Sequence, residues 1–262
     1  MGYKILAQIP TRRNGPVNSN VRPHKIRSRI PKLHLMKHTH QSTYCGVAVT
    51  PRYGYWQELL RQWVFLAERS YRVTNGEHPV YAYKERTNVG LLAAAAAANG
   101  WVALEECRAT KLKRTSEPVI DEDGTEIEVT YEGRSDMRIW RDDKSHEVEA
   151  KFLRVALKST GMTRLDRVAK KAGDDAARST PTGQKFDRKV ALTYVVPTVT
   201  DLQFDKLSVS EIESLVSNIV EHIRLSKPHF LAYAFAGASR AVGTKKRMAL
   251  GAILFGVENR EA

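Results

Sequence analysis

The strongest constraint on the fold is a pair of alternating segments, residues 126–140 and 146–152, separated by a short polar stretch. In both segments apolar and charged side chains alternate, as in a strand with one buried face. Val129 and Met137, for example, lie between charged or polar neighbours. Residues 141–145 between the segments are polar and turn-forming. The two segments are therefore predicted to form one β-hairpin.

The alternation also restricts the register of this hairpin. A slip by one residue would turn every apolar side chain of one strand to the wrong face. Asp136 is therefore expected opposite Glu149 or Lys151, and not opposite Ala150. Directly opposed residues have Cβ atoms roughly 5 Å apart. Two carboxylates and an amine are thus predicted to meet in one cluster.

Such a cluster suits a divalent-metal site. Two carboxylate oxygens and a backbone carbonyl can hold Mg²⁺ and leave positions for water and a phosphate. A bound metal lowers the pKa of its water and neutralises charge on phosphoryl oxygens. A lysine beside it can orient the water or share the phosphate charge. The alternative is a solvated, charged sheet face without a function.

Asp136, followed by Glu149-x-Lys151 on the next strand, resembles the signature of the PD-(D/E)xK nuclease superfamily. This superfamily includes restriction endonucleases and recombination-type exonucleases. The Gly-x-x-Asp form that begins at Gly133 is similar to the recombination branch. The resemblance covers roughly residues 80–200. It implies an α/β fold with a restriction-endonuclease-like core, in which helices flank a mixed central sheet. The expected core order is helix, three-stranded antiparallel meander, helix and strand.

The resemblance implies a Mg²⁺-dependent DNA nuclease, a hydrolase of phosphodiester bonds in which Mn²⁺ substitutes. Asp136 and Glu149 would bind the metal with the carbonyl of Ala150, and Lys151 would help position the attacking water. Restriction, phage defence, mobile-element processing and repair are all compatible roles. Two alternatives stay open: a non-catalytic nucleic-acid-binding protein on the same scaffold, and an RNA-directed or partner-dependent nuclease.

Other acidic residues compete for a place at the site. Many members of the family carry a glutamate on the helix before the first strand, and Glu85 is the best match. Glu105 and Glu106 on the following strand are the alternatives. Acid-x-lysine triplets also begin at Asp142 and Asp187. The first lies in the predicted turn and the second lacks a paired upstream acid, so neither is expected to be catalytic.

The N-terminal segment is basic. Residues 1–50 contain nine Lys and Arg and no Asp or Glu, in a chain of net charge +13. Because clustered cations suit phosphates, this segment is predicted to be a flexible nucleic-acid-binding arm, although a solubilising tail is the alternative. The nuclease domain is expected over residues 51–262. The predicted nucleic-acid contacts are Arg12, Arg13, Arg22, Lys25, Arg27 and Arg29 in the arm and Arg164, Arg167, Lys170 and Lys171 on a later helix.

Composition adds a few limits. No run of eighteen apolar residues occurs, so no membrane span or membrane partner is expected. Two cysteines provide no disulfide framework, which favours a cytoplasmic protein. A homodimer or a partner protein is compatible with the chain. The sequence does not choose between DNA and RNA, single and double strands, or endonuclease and exonuclease action.

Apolar periodicity places the remaining elements. Helices are predicted over residues 55–72, 84–98, 163–178 and 208–224, strands over 101–113 and 189–199, and a terminal hairpin over 230–236 and 248–257. Ser210 is expected to cap the last of these helices.

Overall fold

The computed structural model describes residues 44–113, 119–120, 126–127, 129–142, 144–157, 160–180, 188–240 and 246–260. The predicted arm contacts Arg12, Arg13, Arg22, Lys25, Arg27 and Arg29, together with Asp187, lie outside these ranges.

The four predicted helices lie close to their predicted positions, and a short fifth helix, α4 (Asp201–Phe204), was not predicted. They are α1 (Trp56–Val73), α2 (Glu85–Ala98), α3 (Thr160–Arg178), α4 (Asp201–Phe204) and α5 (Val209–Leu225). The cap of α5 differs from the prediction, because Ser208 rather than Ser210 begins the helix. The Ser208 hydroxyl accepts from the backbone N–H of Glu211, whose carboxylate accepts from the Ser208 N–H at 2.8 Å. This reciprocal pair is a capping box, and it satisfies two backbone donors at once.

The strands form one large mixed sheet and a separate small hairpin. They are β1 (Tyr44–Val49), β2 (Val102–Leu112), β3 (Val119–Ile120), β4 (Glu126–Ile127), β5 (Thr130–Arg141), β6 (Lys144–Ala156), β7 (Ser179–Thr180), β8 (Arg188–Thr200), β9 (Phe230–Phe235), β10 (Ser239–Arg240), β11 (Arg247–Ala249) and β12 (Ala252–Arg260). The order in the large sheet is β1-β9-β12-β8-β6-β5-β2-β7, with β10 and β11 alongside β8, while β3 and β4 pair with each other. β2, β5 and β6 form an antiparallel meander, and β6 pairs in parallel with β8 across α3. The predicted α/β class with a mixed sheet is confirmed.

Residues 44–49, which the sequence analysis assigned to the arm, form the edge strand β1. This strand pairs antiparallel with β9, with Tyr44 opposite Phe235. Gly46 allows the close approach, since a Cβ at this position would lie 2.5 Å from the Tyr233 hydroxyl. The folded domain therefore begins before residue 50, at the latest at residue 44.

Helices cover both faces of the sheet. On one face α1 and α2 bury Trp56, Trp63 and Leu92 against strand residues such as Met137 and Leu192. On the other face α3 and α5 cover a second apolar cluster of the same sheet. The predicted terminal hairpin is also present, since β12 pairs with β9. Within the meander, α2 packs on all three strands, whereas α3 packs on β6 and on the neighbouring β8.

Candidate active site

The hairpin of β5 and β6 has the predicted register. Met137 pairs with Val148, and continuing the same register places Asp136 opposite Glu149. At this point the regular pairing ends, and the backbone N–H of Ala150 donates to Asp136 Oδ2 at 2.7 Å. The side chain of Asp136 thus takes the place of a backbone acceptor where the two strands separate.

Glu149 is a buried carboxylate paired with a lysine. Its side chain is 3% exposed, and Lys111 Nζ on β2 donates to its Oε1 at 2.7 Å. Burial raises the pKa of Glu149 to about 7, and the charge of Asp136 adds to the rise, while Lys111 and Lys151 oppose it. Such a carboxylate is partly protonated near neutral pH and gains strongly from a cation.

Lys151 is positioned by Asp175, which was not among the predicted site residues. Its Nζ lies 3.1 Å from Asp175 Oδ2 on α3 and donates to the Ala150 carbonyl at 2.9 Å. Burial would lower the pKa of Lys151, but the hydrogen bond to Asp175 and the charge of Asp136 outweigh it and leave this pKa raised. Lys151 therefore stays protonated at neutral pH.

Asp175 is itself held between two cations. Burial would raise its pKa, but Lys151 and Arg178 outweigh burial and lower it. A sequence signal exists for this residue: it lies between the inward positions Ala172 and Ala176 of α3. An acid at that position points toward the sheet, where it needs a cation or hydrogen-bond donors as partners.

These side chains surround one cleft with roughly 500 Å³ of non-protein space. It is lined by Lys111, Tyr131, Arg134, Asp136, Glu149, Lys151, Asp175 and Arg178. Among these residues, Tyr131 is 50% exposed. Four cations and three carboxylates in one cleft suit a ligand that carries negative charge and a metal ion.

The predicted accessory acid Glu85 begins α2 and lies near the other side of Asp136. Burial and the charge of Asp136 raise the pKa of Glu85, while Lys151 and a hydrogen bond from the backbone of Phe152 oppose the rise. Glu85 and Asp136 also line a smaller pocket of roughly 280 Å³, together with Glu105 and Glu106. Asp136 is therefore common to both cavities.

Glu105 and Glu106, the two alternatives to Glu85, contact different parts of the protein. Glu105 contacts α2, where its Oε1 would lie 3.3 Å from a Cβ at Gly90. Glu106 forms ion pairs with Arg134 at 3.0 Å and Arg86 at 3.7 Å. Glu106 is in phase with Leu104 on β2, and both side chains are exposed.

The donor set fits Mg²⁺ by its chemistry. Asp136, Glu149 and the Ala150 carbonyl offer hard oxygen ligands of the kind Mg²⁺ takes from proteins. Within the described ranges, no three Asp, Glu, His or Cys side chains are arranged to hold a metal ion. Mg²⁺ usually keeps several waters and uses one or two carboxylates plus substrate phosphate. Two carboxylates are therefore enough for this ion when a phosphate is present.

The predicted basic face of α3 extends away from the cleft. Arg164, Arg167, Lys170 and Lys171 are all exposed. Lys170 pairs with Asp174 at 3.0 Å, and the charge of Lys171 acts on Glu85. At about 1.5 Å per residue, the face continues for roughly 16 Å beyond Asp175.

The competing triplet at Asp142 is not part of the cleft. Asp142 is exposed in the turn between β5 and β6 and lies 3.5 Å from Arg141.

The chain matches no family model, no curated protein and no solved structure. No helix in the described ranges is both long and apolar enough to cross a membrane. The functional case therefore depends on the geometry of the cleft.

Proposed function

We propose that the protein is a Mg²⁺-dependent DNA nuclease with a restriction-endonuclease-like core of the PD-(D/E)xK type. The observation that carries the proposal is the convergence of Asp136, Glu149 and Lys151 in one cleft lined by further cations. The two acids come from adjacent strands of a meander, and the lysine follows Glu149 by two residues. Their spacing and their surroundings agree with the roles that the family pattern assigns.

Asp136 and Glu149 would hold the metal with the carbonyl of Ala150. When bound, the ion supplies a water of lowered pKa and neutralises phosphoryl charge. Glu149 must be ionised to bind a cation, so its raised pKa makes activity fall as the pH drops below about 7. Lys151, kept protonated by Asp175, donates to the attacking water or to a phosphate oxygen. Its charge is positioned before the substrate arrives, which is the usual source of electrostatic catalysis.

Substrate binding is assigned to the cations around the cleft. Arg134 and Arg178 line it, and Lys171 continues the basic surface along α3. Contacts of this kind to phosphates position a nucleic acid without reading its sequence. The arm over residues 1–43, with nine Lys and Arg, would add further phosphate contacts.

One contact favours a second candidate, a nucleic-acid-binding protein without catalysis. Lys111 Nζ lies 2.7 Å from Glu149 Oε1 and neutralises a proposed metal ligand. If this ion pair were permanent, the cleft would bind phosphates and hydrolyse nothing. An RNA substrate or a required partner protein is also compatible with the cleft.

The test is incubation of the protein with closed circular and linear DNA, each with Mg²⁺, Mn²⁺ or EDTA. Asp136→Asn, Glu149→Gln and Lys151→Ala should each reduce cleavage by roughly 10²–10³-fold or more, with DNA binding in EDTA retained. Asp142→Asn at the hairpin tip is the matched control and should cleave normally. Cleavage of closed circles identifies an endonuclease, and cleavage of linear DNA alone identifies an exonuclease. Binding without cleavage under every metal condition would support the non-catalytic candidate.

A further inference from the structure

Lys111 occupies a position that a metal ion would need. Its Nζ lies 2.7 Å from Glu149 Oε1, and the two side chains are only 16% and 3% exposed. Mg²⁺ binds carboxylate oxygens at about 2.1 Å. An ammonium and a divalent ion that contact the same oxygen repel each other, and this repulsion is stronger in a partly buried site than in water.

Gly133 provides the path by which Lys111 reaches Glu149. Lys111 pairs with Tyr131 across β2 and β5, and its stem crosses over Gly133. A Cβ at Gly133 would lie 3.2 Å from Lys111 Cδ and 3.4 Å from the Tyr131 ring. The glycine of the Gly-x-x-Asp pattern therefore has a physical role here, which is to leave room for the lysine stem.

The other cations of the cleft pair with carboxylates that are not proposed to bind the metal ion. Lys151 and Arg178 both contact Asp175, and Arg134 contacts Glu106. Lys111 differs because its carboxylate partner is a proposed ligand. Its long flexible stem also allows the ammonium to move without a backbone change. Once displaced, it would face the phosphate that the cleft is proposed to bind.

We infer that Lys111 holds Glu149 in the metal-free protein, leaves it when a divalent cation binds, and then contacts a phosphate oxygen of the nucleic acid. This inference rests on the proposed function. Its consequence is positive coupling between metal and substrate. A metal ion alone leaves the displaced ammonium unpaired beside it, whereas a phosphate in the cleft provides a new partner.

The direct test is acylation of lysines in the wild-type protein at pH 8 with an N-hydroxysuccinimide ester, followed by peptide mass spectrometry. The exposed Lys113 on the same segment is the internal reference. In EDTA, Lys111 should react at least about tenfold more slowly than Lys113. Ca²⁺ alone, used because it should bind without supporting turnover, should raise the rate at Lys111 several-fold. Ca²⁺ with a short DNA duplex should protect Lys111 again.

Calorimetry with Lys111→Met provides a second measurement. This variant should bind Ca²⁺ about tenfold more tightly than wild type without DNA, and should lose the gain in affinity that DNA gives the wild type. Lys113→Met should behave like wild type in both respects.

The two hypotheses fail differently. If wild-type protein binds Ca²⁺ while Lys111 acylation stays unchanged, the inference is overturned and the proposed function stands. If neither Ca²⁺ nor Mg²⁺ binds, with or without DNA, the proposed function is overturned and the inference with it.

Discussion

Replacing Glu149 by glutamine should change the free energy of unfolding of the metal-free protein more favourably at pH 8 than at pH 4. Burial raises the pKa of Glu149 from its ordinary value of 4.5 to about 7. Each pKa unit corresponds to about 1.4 kcal/mol. The ionised side chain is therefore less favourable in the folded state than in the unfolded chain by about 3 kcal/mol, even with Lys111 beside it.

The direction of this pH dependence follows from how tightly each state binds the proton. The folded state binds the proton at Glu149 more tightly than the unfolded state, so this group contributes most to stability below pH 4.5. The contribution falls as the pH rises through about 7 and is constant above that value. Glutamine resembles the protonated acid in shape and does not titrate. The free energy of unfolding of Glu149→Gln minus that of wild type should therefore increase by about 3 kcal/mol between pH 4 and pH 8.

The assay is urea denaturation of both proteins in EDTA at several pH values. Glu132→Gln, at an exposed position on β5, is the control and should stay within about 0.5 kcal/mol of wild type. A difference between Glu149→Gln and wild type that does not change with pH would refute the reasoning. It would mean that Lys111 keeps the carboxylate ionised despite its burial.

Three further predictions concern other parts of the molecule. Asp175→Asn should reduce the single-turnover cleavage rate about tenfold, because Lys151 loses its carboxylate partner. DNA affinity in EDTA should not change, and an equal loss of DNA affinity would contradict this prediction. Glu258→Gln should lower the free energy of unfolding by about 3 kcal/mol in urea titrations. The buried Glu258 pairs with Arg188 and accepts a hydrogen bond from Trp56 Nε1 at 2.7 Å. A change below about 1 kcal/mol would count against this prediction. Deleting residues 1–43 should flatten the slope of log K against log salt by roughly 4, if half of the nine cations contact duplex phosphates. An unchanged slope would make the arm a passive tail.

The structure also decides where that truncation should end. A variant that starts near Ala48 would remove most of β1 and expose the edge of β9. A start at Tyr44 removes all nine cations and keeps the sheet intact. A loss of folding on this shorter deletion would contradict the assignment of the domain boundary.

The register of the β5–β6 hairpin was predictable because a two-residue period with one buried face permits few alternatives. The position of Asp136 beside Glu149 therefore followed from local sequence. The orientations of Glu105 and Glu106 did not, because Leu104, which is in phase with Glu106, is 53% exposed although it is apolar. An apolar residue on the exposed face suggests the wrong phase for the strand.

The side-chain partners of Glu149 and Lys151 could not be predicted, because they come from distant segments. Lys111 is 38 positions away from Glu149 in the chain. Asp175 reaches Lys151 only because α3 crosses between the parallel strands β6 and β8. Such contacts depend on how layers pack, whereas periodicity reports only which face of an element is buried.

The contact of the Lys111 stem with Gly133 links the residue types expected at these two positions in relatives of this chain. Alanine at position 133 would place its Cβ 3.2 Å from Lys111 Cδ, so the lysine stem would have to shift by a few tenths of an ångström. Chains that keep lysine at 111 should keep glycine at 133, and chains that lose the lysine should lose the requirement for glycine. The two positions should therefore co-vary as a pair, although they lie on different strands and neither is a proposed metal ligand.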